Sequence, residues 1–281
     1  MLYKPDRFLK PVRFGKRKII IMRFKINLEI AETQNRILPI NYQYEVAGWI
    51  YKTLEKGNKE YASWLHTNGF AQGSKQFRLF TFSHFDVVKK KIMGDRIQIN
   101  DPIISLQLSF LPEKSTEEFI KGVFAQQQFV LGDSKSRVMF RVAGIELMPQ
   151  PTFANKMVFE TLSPLTVAIK NDEGKPHFIE PCDPRMEQAL YKNLCQKYLA
   201  YYVEEFEGGA DVKFELLSTF RKRGIAIKAG TPQQTKVIGY TYRFALTAPT
   251  ELLKIGYAAG FGEKNSMGFG CVGVVKTRQA L

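Results

Sequence analysis

The alternation of apolar and polar residues along the chain changes period several times, and each change marks an element. Residues 23–30 (RFKINLEI) alternate with period two, as a half-buried strand does. Residues 42–54 (YQYEVAGWIYKTL) then set apolar side chains at helical spacing. Residues 60–66 (EYASWLH) predict a second, short helix that stops at Asn68-Gly69. Residues 77–85 (FRLFTFSHF), 97–99 and 103–110 return to the strand pattern. Residues 115–128 open on Ser-Thr-Glu-Glu, an N-cap followed by acids that suit the positive end of a helix dipole. A strand over 137–148 closes the series, and the order β-α-β-β-α-β is that of a ferredoxin-like unit.

The second half repeats the order. Strands are expected over 156–162 and 165–170, and a long amphipathic helix over 184–203. Residues 211–220 and 225–229 flank the basic turn Arg221-Lys222-Arg223-Gly224, which predicts a hairpin. Another strand spans 237–247, a short helix follows Pro249 over 250–259, and 267–276 form the closing strand. The expected fold is therefore α+β: two tandem ferredoxin-like (RRM-like) βαββαβ domains, residues 22–150 and 151–281, joined around residues 149–154. Ahead of them, residues 1–21 form a basic tail. Lys4, Arg7, Lys10, Arg13, Lys16, Arg17 and Lys18 stand there among Pro5, Pro11 and Gly15 with little to bury, as in a solvated tail or a nucleic-acid-gripping arm.

Charge narrows the partners. Lys and Arg total 41 against 27 Asp and Glu, a net charge of +14. Such an excess favours a polyanion, because each phosphate neutralised releases counterions. Charge alone does not separate RNA from DNA or from an anionic membrane surface. Cys182, Cys195 and Cys271 lack metal-ligand spacing and fit reduced thiols better than a disulfide framework. With only His66, His84 and His177 beside them, a structural zinc site is not expected. No apolar run is long enough to span a membrane and no signal-peptide core is present, so the expectation is a soluble cytoplasmic protein without metal or cofactor.

The densest glycine cluster lies near the C-terminus: six of the 21 glycines fall within residues 256–273 (GYAAGFGEKNSMGFGCVG). Gly260, Gly262, Gly268 and Gly270 allow positive φ and a close approach of backbone to ligand. Consecutive amides there can form an anion-binding nest, with Lys264 and Asn265 as further donors to phosphate. A glycine-packed turn without a ligand is the plainer alternative. The segment lacks the Gly-Lys-Ser/Thr ending of a P-loop. Residues 267–274 imitate the third-strand signature of RNA-recognition motifs, but no basic residue leads and Cys271 stands where an aromatic belongs.

The segment GYAAGFGEKNSMGFGCV closely resembles the C-terminal glycine-rich motif of the CRISPR-associated repeat-RNA endoribonucleases, Cas family six. Residues 23–30, 42–51 (YQYEVAGWIY), 61–66 (YASWLH) and 77–83 (FRLFTFS) resemble consecutive N-terminal segments of that family, and 160–164 (ETLSP) resembles one at the start of the second half. The likeness runs from Arg23 to about Val275 and leaves out the basic tail. It implies tandem ferredoxin-like domains that cut precursor RNA within repeats without metal. The substrate's own 2′-hydroxyl attacks the adjacent phosphate, leaving a 2′,3′-cyclic phosphate and a 5′-hydroxyl.

The resemblance also implies roles for single residues. His66 takes the place of the family's catalytic histidine, a residue whose ordinary pKa near 6.5 suits proton transfer. Tyr51 matches a tyrosine that works with it and would orient the 2′-hydroxyl. Arg78 stands where the family has a lysine; a guanidinium stabilises phosphate charge but cannot give up a proton. Without the resemblance, His66 reads as an ordinary hydrogen-bonded histidine and Tyr51 as a buried aromatic anchor. His84 is a second histidine for the same role, although its place between Phe82 and Phe85 suits packing. Arg221, Lys222 and Arg223, with Lys228, are expected either to track an RNA backbone or to form a solvated hairpin tip. The implied partners are repeat-bearing precursor RNA, a CRISPR effector complex and a second copy of the chain, with no membrane. The alternative function is that of a non-catalytic repeat-RNA-binding subunit of a CRISPR ribonucleoprotein. A general single-strand RNA chaperone would need aromatic pairs on central strands, which the pattern does not supply.

Overall fold

The structure is a computed structural model, and it describes residues 19–30, 36–208, 211–229 and 231–275. The basic residues of the tail up to Lys18 lie outside the described residues, as does the end of the expected closing strand at Lys276.

Strand β1 (Met22–Ile30) is the centre of the first sheet, and its period-two pattern buries Phe24, Ile26, Leu28 and Ile30 on one face. The chain continues through α1 (Gln43–Gly57), α2 (Lys59–Thr67), β2 (Phe80–Phe82), β3 (Ile103–Phe110), α3 (Glu113–Ala125), β4 (Gln128–Gly132) and β5 (Arg137–Leu147). The sheet is antiparallel in the order β2-β3-β1-β5-β4. Its first four places have the ferredoxin-like order, and β4 is an added edge strand that the sequence pattern did not announce. Helices α1 and α3 cross over the apolar face, where Gly57 and Gly122 let the backbones touch. A Cβ at either would fall within 2.0 Å of a carbonyl oxygen, Glu118 O or Thr53 O.

The second unit runs β6 (Lys156–Thr161), α4 (Met186–Tyr202), β7 (Lys213–Leu216), β8 (Arg221–Ile227), β9 (Thr235–Thr241), β10 (Arg243–Thr247), α5 (Thr250–Ala259) and β11 (Val272–Val274). Its sheet has the order β7-β10-β6-β11, with β8 and β9 paired as a separate ribbon. The protein is thus α+β with tandem ferredoxin-like domains. No helix among the described residues is long and apolar enough to cross a membrane.

Several elements differ from expectation, each for a physical reason. The strand expected over 77–85 is cut to Phe80–Phe82, because Leu79 takes φ 52° and the chain before it folds back as a hairpin of Phe70–Gln72 with Lys75–Phe77. Ser115 does not cap α3. The helix begins two residues earlier after Pro112, and the Ser115 hydroxyl is buried against Tyr61 Oη at 2.5 Å. Arg221-Lys222-Arg223-Gly224 is not a turn but the start of β8, paired with Thr241 through Ile238. The strand expected over 237–247 breaks into β9 and β10 at Tyr242, and the closing strand shrinks to Val272–Val274 because residues 265–267 form a 3-10 turn.

One core cluster runs through both halves, and each fully buried Phe or Leu contributes about 1.5–3 kcal/mol. Polar contacts tie the halves together as well. Thr81 Oγ1 of β2 donates to Phe269 O at 3.1 Å, and the His84 amide to Leu162 O at 3.0 Å. Arg23 of β1 is 2% exposed; its guanidinium donates to Val272 O and Tyr257 O and lies 3.6 Å above the Tyr257 ring.

Candidate active site

The junction of α1 and α2 brings the first two candidate residues together. Asn58 ends α1 and caps α2, its Oδ1 accepting from the Tyr61 amide at 2.9 Å. The resulting bend sets the His66 ring edge-on to Tyr51, with centroids 5.0 Å apart and planes at 85°. The chain then turns at Gly69, where φ is +58° and a Cβ would fall 2.5 Å from Phe77 O. A glycine there lets the backbone at Phe77 close on the turn, and Arg78 follows, its Nη2 donating to His66 O at 2.5 Å and to Gln76 Oε1 at 3.2 Å. Burial pushes the Tyr51 phenol above its ordinary pKa, while the Arg78 charge and hydrogen bonds from Ser266 and Arg78 pull the other way. Tyr51 therefore stays protonated at neutral pH.

These three residues line one end of a cleft of about 1250 Å³. The 262–267 stretch of the glycine-rich loop adjoins them through Ser266, and the cleft continues along α1 to Tyr44 and across to β4. Its wall carries six Lys or Arg residues, Lys52, Lys56, Lys75, Arg78, Lys197 and Lys264, against Glu45, Glu55 and Glu263. An anionic ligand is the chemistry this balance favours. No group of three or more His, Cys, Asp or Glu gathers as a metal site among the described residues.

The glycine-rich loop is bonded in large part to the protein itself. Gly260, Gly262, Gly268 and Gly270 take φ of 67° to 88°, and several of the loop amides are spent within the protein. Phe261 N donates to Gly270 O, Glu263 N to Thr166 O, Gly268 N to Asn265 O and Gly270 N to Pro164 O. Asn265, expected as a phosphate donor, is 9% exposed, and its Nδ2 bonds Phe261 O at 2.9 Å and Phe269 O at 3.1 Å. Beneath the loop lies Lys197 of α4, 1% exposed. Its Nζ donates to Gly260 O at 2.6 Å, Gly262 O at 2.8 Å and Asn265 Oδ1 at 2.7 Å. Burial drags this ammonium down to about 7, with Glu263 opposing and Lys75 adding to the fall. What the loop offers the cleft is Lys264, exposed at φ 57°, and Ser266.

Sequence reasoning missed Lys197 and Ser266. Lys197 had a signal: it interrupts the apolar stripe Leu190, Leu194, Tyr198 of α4 at helical spacing. Ser266 had none.

The remaining candidates lie elsewhere. Arg221, Lys222, Arg223 and Lys228 do not line the cleft; the first three project from exposed β8, and Lys228 starts the turn into β9 with its ammonium on Gln233. His84 is also outside the cleft, its Nε2 2.8 Å from Gln43 Nε2. Burial, Arg223 and Lys90 lower it to about 4, so it is neutral at neutral pH.

Two ferredoxin-like units in tandem, with a glycine-rich loop of the second closed against a tyrosine–histidine pair of the first, define a class of CRISPR-associated proteins. The model of "CRISPR-associated protein Cas6, N-terminal" matches residues 37–142, and that of "CRISPR associated protein Cas6, C-terminal" residues 148–274. The chain belongs to the Cas6 family. It is 30% identical over 251 residues to CRISPR-associated endoribonuclease Cas6 1 of Methanocaldococcus jannaschii, covering 88% of this chain and 91% of that one. It is 29% identical over 256 residues to CRISPR-associated endoribonuclease Cas6 of Pyrococcus furiosus, covering 90% of each. Among solved structures, a Cas6-related protein from Pyrococcus furiosus superposes with a TM-score of 0.78 at 26% identity, over 92% of this chain and all of that one. A protein described as a RAMP protein binding different RNA substrates superposes at 0.75 and 26%, over 91% and 100%.

Proposed function

We propose that this protein is an endoribonuclease that cuts CRISPR precursor RNA within its repeats, without metal, to release guide RNAs. The observation that carries the reading is the convergence of Tyr51, His66 and Arg78 on one end of a basic cleft, in a chain whose relatives are named CRISPR-associated endoribonucleases. The nucleophile is the substrate's 2′-hydroxyl. As its oxygen bonds to phosphorus, its proton leaves to a base, the P–O5′ bond breaks and O5′ takes a proton from an acid. The products are a 2′,3′-cyclic phosphate and a 5′-hydroxyl. His66, exposed at the cleft rim, serves as general acid or base. Tyr51, neutral and held by Ser266 and Arg78, orients the 2′-hydroxyl, and the Arg78 guanidinium stabilises charge on the pentacoordinate phosphorus.

Lys264 meets substrate phosphates from the adjoining loop, while Arg221, Lys222, Arg223 and Lys228 grip a more distant part of the repeat. The test is incubation with repeat RNA from the genome encoding the chain, in excess EDTA. One cut leaving a cyclic phosphate is expected. Binding without cutting would assign the chain to the non-catalytic subunit role, and a requirement for magnesium would overturn the mechanism.

A further inference from the structure

Glycine within a helix weakens it, so a mid-helix glycine needs a reason. Nearly every described glycine has one. Gly57 and Gly122 sit at the α1–α3 crossing, and the loop glycines either hold positive φ or press on a neighbour. Two other glycines of the cleft wall conform: a Cβ at Gly132 would meet Ser136 O at 2.0 Å, and one at Gly262 would meet Thr166 O at 2.2 Å. Gly48 is the exception among the described helical glycines. It lies inside α1 with no positive φ, and nothing comes within 4 Å of where its Cβ would be. The protein does not use the room that this missing side chain leaves, and that room opens into the cleft.

The surroundings of Gly48 say what could use it. Tyr44, one turn before, is 38% exposed and presents a ring to the cleft. Lys52, one turn after, is exposed on the same face. Beside Tyr44, Glu45 lines the cleft with a buried Oε2 that has no hydrogen-bond partner among the described residues. A stacking ring, a flat helical floor, an unused acceptor and a cation together match one nucleotide: base face, base edge N–H and phosphate. Tyr51 follows three residues later, roughly 4.5 Å along the helix axis. The spot therefore continues directly from the Tyr51–His66 corner.

We propose that the α1 face from Tyr44 to Lys52 is a nucleotide subsite, in which a base of single-stranded RNA next to the cut lies flat on Gly48. The inference rests on the endoribonuclease reading for its ligand. The base stacks on Tyr44, an edge N–H donates to Glu45, and Lys52 meets the neighbouring phosphate. Any side chain at position 48 fills the space the base occupies.

The experiment compares Gly48, Gly48→Ala and Gly48→Leu in a His66→Ala background, so that labelled repeat RNA survives the measurement. Gly48→Ala is expected to raise Tm by roughly 2–4 °C, because alanine favours the helix, and still to weaken binding. Gly48→Leu is expected to lose the stacked base, which corresponds to about five- to 150-fold in Kd. Repeat RNAs with a single abasic nucleotide then locate that base. One position weakens binding to the parent protein, and the same position makes no difference to Gly48→Leu. Unchanged affinity in a folded Gly48→Leu overturns the proposal, as does a loss spread equally over all abasic positions. Retained RNA affinity with loss of a protein partner overturns it too. If the leucine variant does not fold, Gly48→Ala carries the same comparison. Cutting by the unaltered protein is read separately, so a failure of the nuclease reading leaves the binding result standing, and a failure of the subsite leaves the cutting result standing.

Discussion

At the Tyr51–His66–Arg78 corner the polar groups are half-buried or exposed, and they face open space. Beneath the adjoining loop, Lys197 and Asn265 are enclosed, and the ammonium's three donors meet three oxygens. The two clusters share one cleft and follow opposite rules. Groups that must meet a substrate are left with capacity to spare, whereas groups that hold a loop in shape are saturated, because an unmet bond in the interior is costly. The glycine-rich segment, the most conspicuous chemistry in the sequence, belongs to the saturated kind. It shapes the wall beside the reacting groups.

The contrast can be broken at its strong end first. His66→Ala is expected to slow single-turnover cleavage roughly 10²- to 10⁴-fold with little change in stability; an undiminished rate would remove the open cluster from the chemistry. Lys197→Met should do the reverse. It leaves three oxygens unmet and is expected to cost about 3 kcal/mol or more in denaturant unfolding, and Lys197→Arg should not restore it, because a planar fork does not fit a tripod. Were Lys197→Met as stable as the parent, the enclosed cluster would not be a scaffold.

A smaller effect separates the two histidines. His84 is held down to about 4 from an ordinary 6.5, so between those values the folded state binds fewer protons than the unfolded state. Its stabilisation is complete above pH 6.5 and is lost as pH falls through 4. Thermal midpoints should drop over that window, and His84→Gln should flatten the drop; equal slopes would mean His84 is not enclosed. The smallest effect is at the loop tip. Lys264→Ala is expected to weaken RNA binding only a few-fold and to lower the salt slope by about one, and an unaltered slope would place the phosphates elsewhere.

Local features were legible in the sequence and distant ones were not. The bounds of α5 followed from Pro249 and helical spacing, and β1 from its alternation, because both signals lie within the element. The basic run Arg221–Gly224 was read as a turn because its residues are exposed on a ribbon outside the main sheet, and their pattern resembles that of a loop. The fate of the loop carbonyls and of Asn265 hinged on Lys197, more than sixty residues away in the chain. Tyr51 and His66 were singled out through the family resemblance; their approach to 5.0 Å depends on the Asn58 bend. Ser266 came into view only with the two halves together.

Arg23 has a consequence for the birth of the chain. Its guanidinium stands in the first strand, yet the carbonyls it needs belong to Tyr257 and Val272. While the polypeptide is being made, the first domain emerges with this guanidinium on the sheet face away from α1 and α3, beside Gln107 Oε1 at 3.5 Å and in water, and its carbonyl partners arrive only with residues 257 and 272. A product cut short before Val272 lacks that tie between the two halves, and the open sheet face marks it as incomplete to whatever in the cell removes unstable chains.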